Sequence, residues 1–235
     1  MGTYVLVHGG FHGGWCWARV AGLLRAAGHR VYTPTLTGLG ERSHLLSPEV
    51  NLSTHVNDVL GVIRWERLDD VILCGHSYGG MVVTGVADAE PHRIGKLVYA
   101  DAFVPTSGQS LFDLLGPARS AAMQDNAAQH GGGWRVVPPP AGNYDIIDLD
   151  DRAWVDSLLT PHPLQTCAEP LILSKAPLAK RVFIYATGYR RDNFRDYAST
   201  IQGDPGWSVH AVASGHDLMI DAPGEVAAAL IADES

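Results

Sequence analysis

The chain has 235 residues, a formal charge of −8, and 46% apolar against 18% charged residues. It can bury one substantial core, and its sign of charge repels nucleic-acid phosphates and anionic lipid. No Lys/Arg stripe reverses that balance and no apolar run reaches the length of a bilayer span, so neither nucleic acid nor a membrane is expected as a partner.

Cys16, Cys74 and Cys167 are odd in number and far apart, which suits reduced, buried thiols better than a disulfide framework or a metal knuckle. No basic, apolar leader precedes the first strand, and a cytoplasmic location is expected. The oligomeric state is left open, a homodimer included.

Taken in chain order, a β-branched apolar run at 3–8 leads into a glycine-rich turn and a helical pattern at 15–27. A strand at 30–33, a helix at 54–64, a strand at 70–75, a helix at 78–87 and a strand at 96–101 follow. Such alternation implies an α/β domain, a mostly parallel sheet wrapped by helices. The strand segments VILC and VLV are apolar throughout, as expected where both faces of a parallel sheet are covered.

From about residue 105 to 177 the period breaks down. Gly and Pro cluster in HGGGW and VPPPAGN, with short helical patches at 109–115 and 152–159. The segment carries too few apolar residues for its own core and reads as an inserted cap. The pattern resumes with a strand at 181–186, a helix near 193–200, a strand at 207–212 and a helix at 225–232. One domain is expected, its core formed by residues 1–104 and 178–235 around a cap at 105–177.

Gly75-His76-Ser77-Tyr78-Gly79 lies between an apolar strand and a helical run, the context that makes G-x-S-x-G a nucleophile elbow. The strand must turn into the helix within a few residues, and flanking glycines remove side chains that would clash there. Ser77 is the expected nucleophile. A serine hydroxyl needs a base to take its proton, and His216, in SGHDLMIDAPGEV after the last strand, has the chain position for it.

The first strand ends in His8-Gly9-Gly10-Phe11-His12-Gly13-Gly14-Trp15. A turn this rich in glycine can aim backbone N–H groups at a developing oxyanion, with Gly10 N–H the chosen donor, Phe11 its neighbour and Tyr78 N–H the second donor. Neither G-x-G-x-x-G nor G-K-[ST] is present, which argues against a nucleotide loop. His8 and His12 have the spacing of a helical metal pair, but the glycines between them argue against a helix, and no metal is expected. His8, His12 and His76 suit loop shaping and hydrogen bonding.

With these residues placed, the chain resembles the α/β-hydrolase superfamily, in particular the plant methylesterase and hydroxynitrile lyase branch and its bacterial esterase relatives. The segments that carry the likeness are YVLVHGGFHGGWCW, TLTGLGERSHL, CGHSYGGMV, TPHPLQTCAEPL and SGHDLMIDAP. The resemblance implies a compact six-stranded core, a small cap and no cofactor, and it supports Gly10 and Tyr78 as the oxyanion pair. The lyases of the branch carry threonine where this chain has Gly9 and lysine where it has Asp217, so lyase chemistry is disfavoured.

The branch places its acid after the penultimate strand, where this chain offers Gly188 or Tyr189. Asp101, at the end of the strand KLVYA, is the expected acid, an alternative position that other superfamily members use. Asp192 is the runner-up, and Asp217 is expected to struggle to reach the ring of His216. The expected activity is hydrolysis of small, apolar or aromatic carboxylic esters through an acyl-enzyme. Phe11, Tyr78, Phe103, Trp134 and Trp154 are candidates for the substrate wall. Amide or carbamate hydrolysis, a lyase, or a non-catalytic small-molecule receptor on the same fold are the alternatives.

Overall fold

A computed structural model describes residues 1–174, 180–189 and 194–232. Six strands form one parallel sheet: β1 (Thr3–Val7), β2 (Arg30–Tyr32), β3 (Val71–His76), β4 (Ile94–Ala100), β7 (Arg181–Ala186) and β8 (Trp207–Val212). Their order is β2-β1-β3-β4-β7-β8. Two short strands, β5 (Arg135–Val136) and β6 (His162–Pro163), pair antiparallel outside it. The helices are α1 (Ala18–Ala26), α2 (Leu52–Trp65), α3 (Gly79–Ala89), α4 (Leu111–Leu115), α5 (Pro117–His130), α6 (Leu149–Leu158), α7 (Gln165–Ala168), α8 (Phe194–Ile201), α9 (Leu218–Asp221) and α10 (Pro223–Ala232).

The central strands are apolar on both faces because helices cover both. Leu6, Leu73, Val98 and Phe183 are fully buried, as a covered parallel sheet requires. β1 and β3 are neighbours, yet the chain leaves β1 toward β2 and leaves β3 toward β4. Connections that part in opposite directions open a crevice at the carboxyl ends of those two strands. The His8–Gly14 turn and the Ser77 turn both emerge there.

All six main strands fall where the alternation of the sequence places them, and so do the helices that connect them. The segment between β4 and β7 is more regular than its composition suggests. Its α5 is not legible in the sequence because the helix is rich in Ala and buries only Ser120 and Ala127, so no apolar stripe marks it. The signal present was positional: Pro117 in the first turn and Gly131 just past the end, the usual helix start and stop. Among the described residues, no helix is long and apolar enough to cross a membrane.

Helix α2 packs against α3, the helix that carries the residues after Ser77, and it begins with a capping box. The Asn51 side chain accepts from Thr54 N–H at 2.9 Å while Thr54 Oγ1 accepts from Asn51 N–H at 3.4 Å. Two of the helix's unsatisfied first-turn groups are thereby paired. Asn51→Ala is expected to lower unfolding free energy by about 1 kcal/mol, read as a shift in urea midpoint at unchanged slope.

Candidate active site

Ser77 follows β3 directly and has φ 52°, the left-handed region that an L-residue enters only at a cost. Its surroundings hold it there. Ser77 N–H donates to Ala100 O at 3.3 Å, and Ser77 O accepts from Phe103 N–H at 3.2 Å and Gly80 N–H at 3.0 Å. The flanking glycines are required by space: a Cβ on Gly75 would lie 2.5 Å from Gly79 O, and one on Gly79 would lie 2.8 Å from His8 O. The turn therefore presses helix α3 against the end of β1.

His216 stands in the loop between β8 and α9, 4% exposed. Its Nδ1–H donates to Asp101 Oδ2 at 2.7 Å, which leaves Nε2 as the ring nitrogen without the proton. Asp101 follows β4 directly with φ 45°, and its other oxygen accepts from Ala186 N–H at 3.0 Å. Burial pushes the Asp101 carboxyl upward, and the His216 hydrogen bond opposes that shift without cancelling it. Asp192 lies outside the described residues. Tyr189, one of the two residues that stand where the branch places its acid, stacks on the His216 ring at 4.4 Å between centroids, with Phe194 parallel at 5.7 Å. Aromatic packing thus fixes the plane of an imidazole whose edge Asp101 fixes.

The turn after β1 is held carbonyl by carbonyl. His8 Nδ1–H donates to Gly9 O at 2.8 Å, His12 Nδ1–H to Gly10 O at 2.7 Å, and Thr160 N–H to Phe11 O at 2.9 Å. His8 Nε2 accepts from Leu36 N–H at 3.0 Å, so that ring is the neutral Nδ1–H tautomer. Phe11 adopts φ 68°, and its N–H reaches His162 Nδ1 at 3.5 Å. Gly9 has no room for a side chain, since a Cβ there would lie 2.9 Å from Ser77 Cβ and 2.8 Å from His76 Nδ1.

A cavity of about 570 Å³ joins these elements, large enough for a small organic molecule. Ser77, His216, Gly10, Tyr78, Phe11 and Phe103 all line it; Trp134 and Trp154 do not. Trp154 instead packs edge-on against Trp15 and beneath Arg19, and Trp134 packs against Arg135. Leu111, Leu115, Met123 and Val136 supply apolar wall from the segment between β4 and β7, and Arg119 and Asn126 supply polar groups. His162 and Tyr144 also line the cavity. Sequence reasoning missed both because they lie in short, aperiodic segments that only the tertiary fold brings to Ser77. Among the described residues, no three His, Cys, Asp or Glu side chains are grouped as metal ligands.

Comparison with known proteins identifies the family. Residues 4–229 match the alpha/beta hydrolase family. A carbendazim hydrolyzing esterase of Nocardioides sp. (strain SG-4G) is 46% identical over 244 residues, covering 99% of both chains. Methylesterase 9 of Arabidopsis thaliana is 38% identical over 106 residues, 45% of this chain and 41% of the plant protein. Among solved structures, an extracellular alpha/beta-hydrolase from a Paenibacillus species, described as sharing structural and functional homology with tobacco salicylic acid binding protein 2, superposes with TM-score 0.86 at 26% identity. That match covers 99% of this chain and 98% of the other.

Four imidazoles around the cavity are held neutral, chiefly by burial: His8 down to about 3, His55 to about 4, and His76 and His162 well below the usual histidine range. In an unfolded chain each takes up a proton near pH 6.5. Below that pH the unfolded state binds more protons than the folded one, so folding stability falls as pH falls. His12, whose value is raised, acts with the opposite sign and above this window. The expected outcome is a urea midpoint that drops steadily from pH 6.5 to about pH 5, with a slope exceeding one proton. A flat midpoint over that range would contradict the neutral assignments.

Proposed function

The chain belongs to the alpha/beta hydrolase family and is an esterase-type hydrolase, and on that premise we propose that it cleaves small esters through an acyl-enzyme formed on Ser77. The observation that carries this reading is the 2.7 Å hydrogen bond from His216 Nδ1 to Asp101, in a cavity that Ser77 also lines. That bond selects the tautomer in which Nε2 can take the serine proton, and the carboxylate stabilises the imidazolium that results.

In this reading His216 deprotonates Ser77, the serinate attacks the ester carbonyl, and the Gly10 and Tyr78 N–H groups hold the oxyanion. The alcohol leaves with the proton from His216, and water repeats the sequence on the acyl-enzyme. Residues 105–177 act as the cap that shapes the substrate wall. Its apolar side chains favour apolar or aromatic groups, with Phe11 and Phe103 against them and Trp134 and Trp154 outside the cavity. The three free, buried cysteines support a cytoplasmic location.

A narrower reading, hydrolysis of carbamate esters bearing an N–H, is favoured by His162. Its Nε2–H donates to Thr166 Oγ1 at 2.7 Å, and that hydroxyl donates onward to Pro163 O at 2.7 Å. Nδ1 is therefore a bare acceptor at the cavity wall, reached by Phe11 N–H only at 3.5 Å, and it can take a shorter bond from a carbamate N–H beside the scissile carbonyl. The similar Nocardioides enzyme is named for carbendazim hydrolysis.

Ser77→Ala is expected to cut turnover of p-nitrophenyl esters by about 10⁴-fold or more and to abolish fluorophosphonate labelling. Asp101→Asn is expected to cut it by roughly 10²–10⁴-fold by favouring the wrong tautomer of His216. An Asp101→Asn enzyme of near-wild-type activity would return the acid to another residue. For the carbamate reading, the wild-type preference for an N–H carbamate over its N-methyl counterpart should collapse at least tenfold in His162→Phe. A preference that survives the substitution would remove the role given to His162.

A further inference from the structure

The proposed mechanism leaves the buried pair His12 and Asp217 without a part. His12, which lines the cavity, and Asp217 lie 1% and 0% exposed, with Nε2 of the histidine 3.0 Å from Oδ2 of the aspartate. The other ring nitrogen, Nδ1, donates to Gly10 O at 2.7 Å. Both partners of the ring are acceptors, because a carbonyl cannot donate and the carboxylate is ionised. A neutral imidazole has only one N–H and would leave one of these contacts between two lone pairs.

The ring therefore carries both protons. Burial opposes charge on either group, but their mutual attraction outweighs it: Asp217 is held at about 2, and His12 is raised from its ordinary value. The titratable neighbours of the pair are His8, Cys16, His76, Tyr144 and His216, with the fields of Asp101 and Asp221 added. Of these, His76 is held neutral and donates through Nε2 to His216 O at 3.0 Å, so His12 is the cation that balances Asp217.

The position of the pair gives it a consequence for catalysis. Gly10 O belongs to the peptide that ends in Phe11 N–H, so the imidazolium sets the plane of that peptide and steers the Phe11 N–H toward His162. Asp217 follows His216 in the chain, so the same pair anchors the loop that bears the base. We propose that the His12–Asp217 ion pair is a positioning device that keeps the oxyanion turn and the His216 loop in mutual register. This inference rests on the acyl-enzyme reading, because register between donor and base affects rate only if Gly10 and His216 serve one reaction.

An oxyanion donor that has drifted costs the transition state more than the bound substrate. Asp217→Asn and His12→Gln are each expected to lower kcat for a p-nitrophenyl ester by about 10–10²-fold while KM stays within about threefold. The doubly substituted enzyme should be no slower than the slower single variant, since a neutral pair leaves no uncompensated buried charge. In the wild-type protein at pH 7.5, nitrogen-15 NMR should show both ring nitrogens of His12 protonated, and Asp217→Asn should abolish that signature.

A neutral His12 in the wild type would overturn the proposal even if neither substituted protein folded. So would single variants with kcat within threefold of wild type, a loss confined to KM, or a double variant as slow as the product of the singles. Failure of the acyl-enzyme reading looks different: Ser77→Ala would keep its activity while the NMR signature of His12 persisted.

Discussion

Ser77 keeps φ 52° because Gly75 and Gly79 carry no side chains and because Ala100 O and Phe103 N–H grip its peptide from the neighbouring strand end. A left-handed non-glycine residue costs of the order of 1–3 kcal/mol and persists only where the surroundings over-determine it. The same device recurs one strand over, where Asp101 has φ 45° and its N–H donates to Ile184 O at 2.6 Å. Two adjacent parallel strands thus end in strained residues at one rim of the sheet. Each strain turns a polar side chain away from the strand path, Ser77 toward the cavity and Asp101 toward the ring of His216.

That geometry explains how a carboxylate can be moved from one strand end to another. The branch that the sequence resembles carries its acid after the penultimate strand, where this chain has Gly188 and Tyr189. Asp101 comes from β4, adjacent to β7 in the sheet, and reaches the same Nδ1 edge of His216. Tyr189 contributes its face instead, stacking on the imidazole. Hydrogen bonding and orientation, usually divided between an acid and its surroundings, are here supplied from two neighbouring strand ends.

The crevice is also crowded with imidazoles whose protonation states are set by their partners. His8, His55 and His162 each donate from one nitrogen and accept at the other, and they stay neutral. His12 has two acceptors and is the exception. Buried polar networks of this kind are costly when incomplete and rigid when satisfied. Here they hold a glycine-rich turn that has little conformational preference of its own.

By itself the sequence determined the alternation of strands and helices, the parallel sheet, and the serine turn, because two-sided burial and a sharp strand-to-helix turn both leave local signatures. It also narrowed the histidine to His216 and named Asp101 from the position of a strand end. It did not reveal α5, which lacks an apolar stripe, or His162 and Tyr144, which arrive from aperiodic segments. It offered Trp134 and Trp154 as candidates for the substrate wall, and the fold packs both elsewhere. Only the tertiary structure decided that His216 meets Asp101 and that Asp217 meets His12 instead of the ring beside it. The physical reason is that pattern and propensity act over a few residues, whereas these partners are separated by 115 and 205 positions and meet only through sheet order and loop packing.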